Sequence, residues 1–215
     1  MKQRRGETYF SATELERIRQ AVHAAELNTS GEIATMTIAE SDRYLEAEVA
    51  GSLFLAASAS LVIALATRHV TIWSYIPMAV LLYIPCCMLI RTFPRLKLPF
   101  AGRRRVAEAV RQRAVRAFYE KGLYRTRHET GILIFMSLLE RKVWILGDRG
   151  INERIDPASW GEMAGSLARG IAAGNGCDAL CEVIGRCGAE LSRHFPHQAD
   201  DVNELQDDLI TEVPK

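Results

Sequence analysis

Between Val49 and Ile90 the chain carries one charged side chain, Arg68, with His69 beside it. No other feature of the sequence restricts the fold so sharply. Val49–Thr67 and Val70–Ile90 each match a bilayer-spanning helix, which needs about 20 apolar residues. Neither segment shows the polar stripe of an amphipathic core helix. A buried soluble hairpin would call for shorter helices with such a stripe. The sequence therefore predicts two membrane spans.

Averaged over its 215 residues the chain has a net charge of +1, which by itself suggests one modest globular domain. The average conceals a segregation, because both flanks of the apolar run are rich in charge. Two spans joined at Arg68–His69 must turn back tightly and leave both flanks on one side. The connector offers Arg68, whereas the exit of the second span offers Arg91, Arg95, Lys97, Arg103, Arg104 and Arg105. Lys and Arg are retained on the cytoplasmic side, so both termini are expected there, in a plasma (inner) membrane protein with two spans. Arg68 and His69 then mark a turn at the far surface rather than a buried functional charge.

The N-terminus, MKQRRGETYF, has no apolar stretch after its basic residues, so no cleavable signal peptide is expected. Cys86, Cys87, Cys177, Cys181 and Cys187 have no zinc-type spacing and read as small apolar residues in a reducing compartment. Ser52, Ala56, Ser60 and Ala64 recur every four residues, a stripe along which a second helix can approach closely. The second span is the obvious neighbour, and Pro77 and Pro85 should kink it. No acidic pair or pore-lining polar stripe supports transport.

The flanks read as one folded unit. Ser11 and Glu14 form a capping box, with Phe10 and Leu15 as the hydrophobic staple, opening a helix that ends by Asn28. Ser30-Gly31 is a turn, and Glu32–Ala39 reads as a strand. After the spans, Arg103–Lys121 is a helix stopped by Gly122. Gly131–Leu139 is almost wholly apolar, as a strand covered on both faces should be. Val143–Leu146 is its antiparallel partner. A helix capped by Asp156-Pro157 and a last helix from about Cys177 to His194 complete the set.

Strand, crossover helix and strand make a right-handed unit in which strands 32–39 and 131–139 run parallel. Helices on both faces give an α/β fold, a small α/β/α sandwich interrupted by a two-helix transmembrane hairpin. In sequence terms, residues 1–48 and 91–197 build the domain, 49–90 the hairpin, and 198–215 an acidic tail.

This order resembles the TPM domain family, the TPM-type phosphatases, in its bacterial membrane-anchored subgroup. The matching stretches are TSGEIATMTI, ETGILIFMSLLERKVWILGDRGI and the NEL near the C-terminus, and together they span nearly the whole chain. The family's glycine- and leucine-rich loop after the second hairpin strand is here Gly147-Asp148-Arg149-Gly150-Ile151. The resemblance implies phosphatase activity, although the sequence holds no Asp-x-Asp pair or Arg-His-Gly motif.

Topology brings Glu32, Arg125, Arg127, His128, Glu129, Thr130, Gly131, Asp148 and Arg149 to one end of the sheet. In a phosphohydrolase, Asp148 with Glu32 or Glu129 would hold a divalent cation, calcium or magnesium, and the arginines would hold phosphate. His128 would be the general acid. In a binding module the same arginines would grip an acidic or phosphorylated partner. The plainest alternative is solvated loop charge with an Asp-Arg turn clasp.

Residues 91–127 are dense in Lys and Arg, opposed only by Glu108 and Glu120. Contact with anionic headgroups or a solvated helix face explains this better than nucleic acid does, so no nucleic-acid partner is expected. The carboxylates from Asp200 to Glu212 read as a solvated tail, with docking against the basic helix as the alternative. The expected partners are the lipid bilayer and a membrane protein. The function expected is that of an accessory or binding module, with a metal-dependent phosphatase acting on phosphate monoesters as runner-up.

Overall fold

A computed structural model describes residues 9–68, 71–126, 129–197 and 208–212. In chain order its elements are α1 (Ala12–Glu26), β1 (Glu32–Ile38), α2 (Leu45–Thr67), α3 (Ile72–Thr92), α4 (Leu98–Ala101), α5 (Arg103–Glu120), β2 (Gly131–Ser137), β3 (Lys142–Gly147), α6 (Arg149–Asn152), α7 (Pro157–Ala173), α8 (Gly176–His194) and β4 (Ile210–Glu212). Short 3-10 turns at Pro94–Lys97 and Leu123–Arg125 complete it. The fold is α/β, with one four-stranded mixed sheet in the order β3-β2-β1-β4. The chain forms two compact units, one of Met1–Ser41 with Val110–Lys215 and one of Asp42–Ala109.

In the first unit, β1 and β2 pair in parallel from Glu32 opposite Gly131 to Ile38 opposite Ser137. Every residue of both strands is buried, because both faces of the sheet are covered. Side chains alternate between faces along a strand. Ile33, Ile132, Ile134 and Met136, with Val143 and Ile145 of β3, meet α1, α7 and α8 on one side. Ala34, Met36, Ile38, Leu133 and Phe135 meet Val110, Ala114, Ala117 and Phe118 of α5 on the other. Two apolar layers back to back explain why β2 reads as a continuous apolar run rather than an alternating one.

Local signals hold as expected at the helix ends. The capping box of α1 is present, with the Ser11 backbone N–H donating to Glu14 Oε2 at 2.8 Å and the Glu14 N–H to Ser11 Oγ at 3.3 Å. The Ser11 N–H and the Ser11 hydroxyl, each donating to Glu14 Oε2 at 2.8 Å, hold the Glu14 carboxyl below its usual range. Asp156 caps α7, and Gly174 closes it with φ +87°. At the crossing of α7 and α8, a Cβ on Gly170 would overlap the Cβ of Ala179. Gly170→Ala should therefore lower stability by about 1–3 kcal/mol in a denaturant titration, although alanine is the better helix former by about 1 kcal/mol.

The C-terminal tail departs from the sequence expectation. Residues 198–207 and 213–215 lie outside the described residues, but Ile210–Glu212 is a strand, parallel to β1 at Met36–Ile38. The unpaired edge of β1 supplies the ladder partners, Ile210 packs on the α5 side of the sheet, and Glu212 forms an ion pair with Arg113 of α5. The alternative of docking on the basic helix is thus met by Glu212.

In the second unit, α2 and α3 are long and apolar enough to cross a membrane. They pack on each other along the small-residue stripe, where Ser52, Ala56, Ser60 and Ala64 are buried. Ser52 and Ser60 donate back to the carbonyls of Glu48 and Ala56 at 2.7 and 2.8 Å, so their hydroxyls add no polarity outside the helix. Tyr75 in α3 donates to the Ala57 carbonyl at 3.2 Å. The Arg68 end of the connector is described and adopts a left-handed turn, φ 55°; His69 lies outside the described residues. Pro77 and Pro85 sit inside α3.

Candidate functional site

The parallel register of β1 and β2 sets Ser30-Gly31-Glu32 beside Thr130-Gly131, and the antiparallel β3 returns Gly147-Asp148-Arg149 to the same end. The junction is tied by backbone bonds. Glu32 N–H donates to Thr130 O at 3.2 Å, and Asp148 N–H to Gly131 O at 2.9 Å. Thr130 is buried and fully used, its hydroxyl donating to Ser30 O at 3.0 Å and its N–H to Thr126 Oγ1 at 3.0 Å. Gly131 is required by close approach, since a Cβ there would lie 2.7 Å from the carbonyl oxygen of Leu123. Thr130 and Gly131 therefore build the floor of this end of the sheet.

The charged residues are largely engaged with one another. Asp148 Oδ1 accepts the Arg149 N–H at 2.7 Å and caps the single turn of α6. The Arg149 guanidinium grips Glu129 with two bonds, Nε to Oε2 at 2.8 Å and Nη2 to Oε1 at 3.1 Å. Glu129 holds this position with φ 55°, a left-handed backbone unusual for a residue with a side chain. Arg125 turns to its neighbour, its Nε donating to the Tyr124 hydroxyl at 2.9 Å, and its guanidinium lies 5.3 Å from that ring's centre. Glu32 is buried. Arg127 and His128 lie outside the described residues.

Two open clefts flank the Asp148-Arg149 turn. One, of about 370 Å³, is lined by Ser30, Glu129 and Thr130 together with Glu153, Arg154 and His194. The other, of about 360 Å³, lies between α5 and β3 and is lined by Phe118, Tyr119, Leu146, Asp148, Arg149 and Asn152. Sequence spacing gives no sign of Glu153, Arg154 or His194 at this end. They arrive because the end of α8 folds back on the β1 turn, where Thr29 and Pro196 form an isolated bridge and Ser30 N–H donates to Phe195 O at 3.1 Å. Arg154 then donates to His194 O at 3.0 Å and covers the Phe195 ring.

Among the described residues, no three His, Cys, Asp or Glu side chains stand close enough to hold a metal ion. Both oxygens of Glu129 are taken by Arg149, and Asp148 uses Oδ1 to cap α6. Burial pushes the thiols of Cys177 and Cys187 up to about 11 and about 12, where they stay protonated near neutrality.

At the opposite end of the sheet lies a polar cluster that sequence spacing did not mark. Ser41 and Ser137 share a hydroxyl–hydroxyl bond of 2.8 Å, and the buried Glu140 carboxylate accepts from the Ser41 N–H at 2.9 Å and from the Ser137 hydroxyl. It ties the turn after β2 to the end of β1.

The fold and this end of its sheet thus define an α/β protein with two long apolar helices between its first strand and its crossover helix. No family model matches the chain, and no curated protein matches it. It is similar in fold to the BA42 protein of the psychrophilic bacterium Bizionia argentinensis, known from an NMR structure, with a TM-score of 0.61 at 20% identity over 96% of this chain and 98% of that one.

Proposed function

We propose that this chain is a membrane-anchored TPM-like domain protein of the plasma (inner) membrane. Its small α/β/α sandwich faces the cytoplasm, held by a two-helix transmembrane hairpin, and serves as an accessory or binding module. The observation that carries this is the outward surface of α2 and α3. Leu53, Phe54, Leu61, Val62, Trp73, Ile76, Val80, Leu81, Ile84 and Met88 are all exposed, far beyond the scattered apolar residues of a soluble surface. Only a bilayer or a partner chain covers such a surface, and the lengths of the helices suit a bilayer.

Binding is favoured over catalysis by how the loop charges are spent. An arginine held by a carboxylate in two bonds is a recognition device already satisfied, and exchange of that carboxylate for one on an acidic partner conserves charge. Exposed pairs of this kind contribute little to stability. Arg149→Gln should therefore change the melting free energy by less than about 1 kcal/mol, while loss of a bound membrane protein in a detergent pull-down would be complete or nearly so.

The competing activity is metal-dependent hydrolysis of phosphate monoesters. Assay of the purified full chain on a broad phosphate-ester panel, with and without calcium or magnesium, decides between them. Turnover that needs a divalent ion and falls by orders of magnitude in Asp148→Asn would establish the enzyme. Flat rates under every condition are the expected result.

A further inference from the structure

The end of α3 and the segment that follows it hold two kinds of cation. Arg91 donates to Glu48 at 2.6 Å, and Arg105 pairs with Glu46 and lies 3.9 Å from Asp42. Lys97 is buried, donating to Arg43 O at 2.9 Å with its ammonium over the Tyr44 ring. These three cations are engaged within the unit. Arg95, Arg103 and Arg104 are exposed and make no hydrogen bond or ion pair among the described residues. Interleaved with them are Phe93, Leu96 and Phe100, exposed by 51%, 41% and 39%. Phe93 ends α3, Leu96 lies in the 3-10 turn Pro94–Lys97, and Phe100 lies in α4 with its ring centre 5.7 Å from that of Phe54, itself exposed on α2. Exposed apolar side chains interleaved with uncommitted arginines match the interfacial layer of a bilayer, where rings enter the acyl boundary and guanidiniums meet phosphate.

We infer that residues 93–104 form a collar that binds anionic phospholipid: Phe93, Leu96 and Phe100 seat in the headgroup–acyl boundary, and Arg95, Arg103 and Arg104 hold lipid phosphates. Charge complementarity selects the occupant. The carboxylates of Asp42, Glu46 and Glu48 face Arg105 and Arg91, and Glu108 is engaged as well, so the exposed arginines have no ion pair among the described residues. The segment is continuous with the end of α3, the point at which a spanning helix would leave the acyl layer. The inference rests on the membrane-spanning reading proposed above and adds a lipid preference to it.

The test uses the full chain in mild detergent, titrated with dioleoyl phosphatidylglycerol or dioleoyl phosphatidylcholine and read by native mass spectrometry. The wild type should bind the anionic lipid preferentially. The triple variant Arg95→Gln, Arg103→Gln, Arg104→Gln should lose that preference by roughly tenfold or more. A matched variant, Arg141→Gln, Arg169→Gln, Arg186→Gln, removes the same charge from exposed positions elsewhere and should keep it. Equal binding of the two lipids by the wild type, or equal loss in both triple variants, overturns the inference. Alkaline carbonate extraction of membranes separates the two levels. Release of the wild type would remove the spanning reading and the collar with it, whereas retention without lipid preference would remove the collar alone.

Discussion

Expressed alone, residues 103–215 should aggregate or melt without cooperativity. The reason is the position of β1, which lies between β2 and β4 and is buried along its whole length. Removing it strips one entire edge of β2, whose Ile132 to Met136 are fully buried in the intact sheet. An apolar edge of that kind is a template for pairing with other chains. Among the described residues β4 pairs with β1 alone, so it would lose its ladder as well. The loss also reaches the α1 side of the core, where Ile18 and Val22 pack with Ile33. Size-exclusion chromatography and a thermal melt of the fragment check this. A monomer with a cooperative transition would mean that the remaining strands form a sheet without β1.

The second large effect concerns α2 and α3. Replacing residues 45–92 with a flexible Gly/Ser linker should move the protein from the membrane fraction to the soluble fraction, with a cooperative melt retained. Parallel β1 and β2 require the chain to leave the end of β1 and return through α5 to the start of β2. The helices are therefore an insertion in a connection rather than a layer of the sheet. Both sheet-facing core clusters draw on α1, α5, α7 and α8, and neither draws on α2 or α3. Loop length costs little, since each doubling adds only about 0.6 kcal/mol of closure entropy. A deletion variant that loses its cooperative transition would place α2 and α3 in the folding core.

Much of the fold was legible because its signals are local. The Ser11–Glu14 box, the Asp156-Pro157 start and the Gly122 stop each depend on a few neighbouring residues. The unbroken apolar run of β2 correctly implied cover on both faces. β4 was not legible, because three residues within an acidic stretch carry no period, and their ladder is supplied by an edge far away in sequence. The short helices after α3 escaped for a similar reason: Pro94 and Pro99 punctuate them without an apolar stripe of useful length. At the candidate site, strand order was enough to bring Glu129, Thr130 and Arg149 together. It could not show that Arg149 would be gripped by Glu129, or that His194 and Arg154 would line the cleft, since both depend on side-chain geometry and on the fold-back after α8.

The claim on which the proposed function turns is that both flanks of the hairpin lie in the cytoplasm, with the Arg68 connector on the far side. Sandwich fusions measure this directly: a reporter fluorescent only in the cytoplasm attached after Lys215, and a phosphatase reporter active only outside it inserted after Arg68. Fluorescence is expected from the first fusion and phosphatase activity from the second, in line with the basic residues that follow α3. Phosphatase activity from the same reporter placed after Lys215, with none after Arg68, would contradict it.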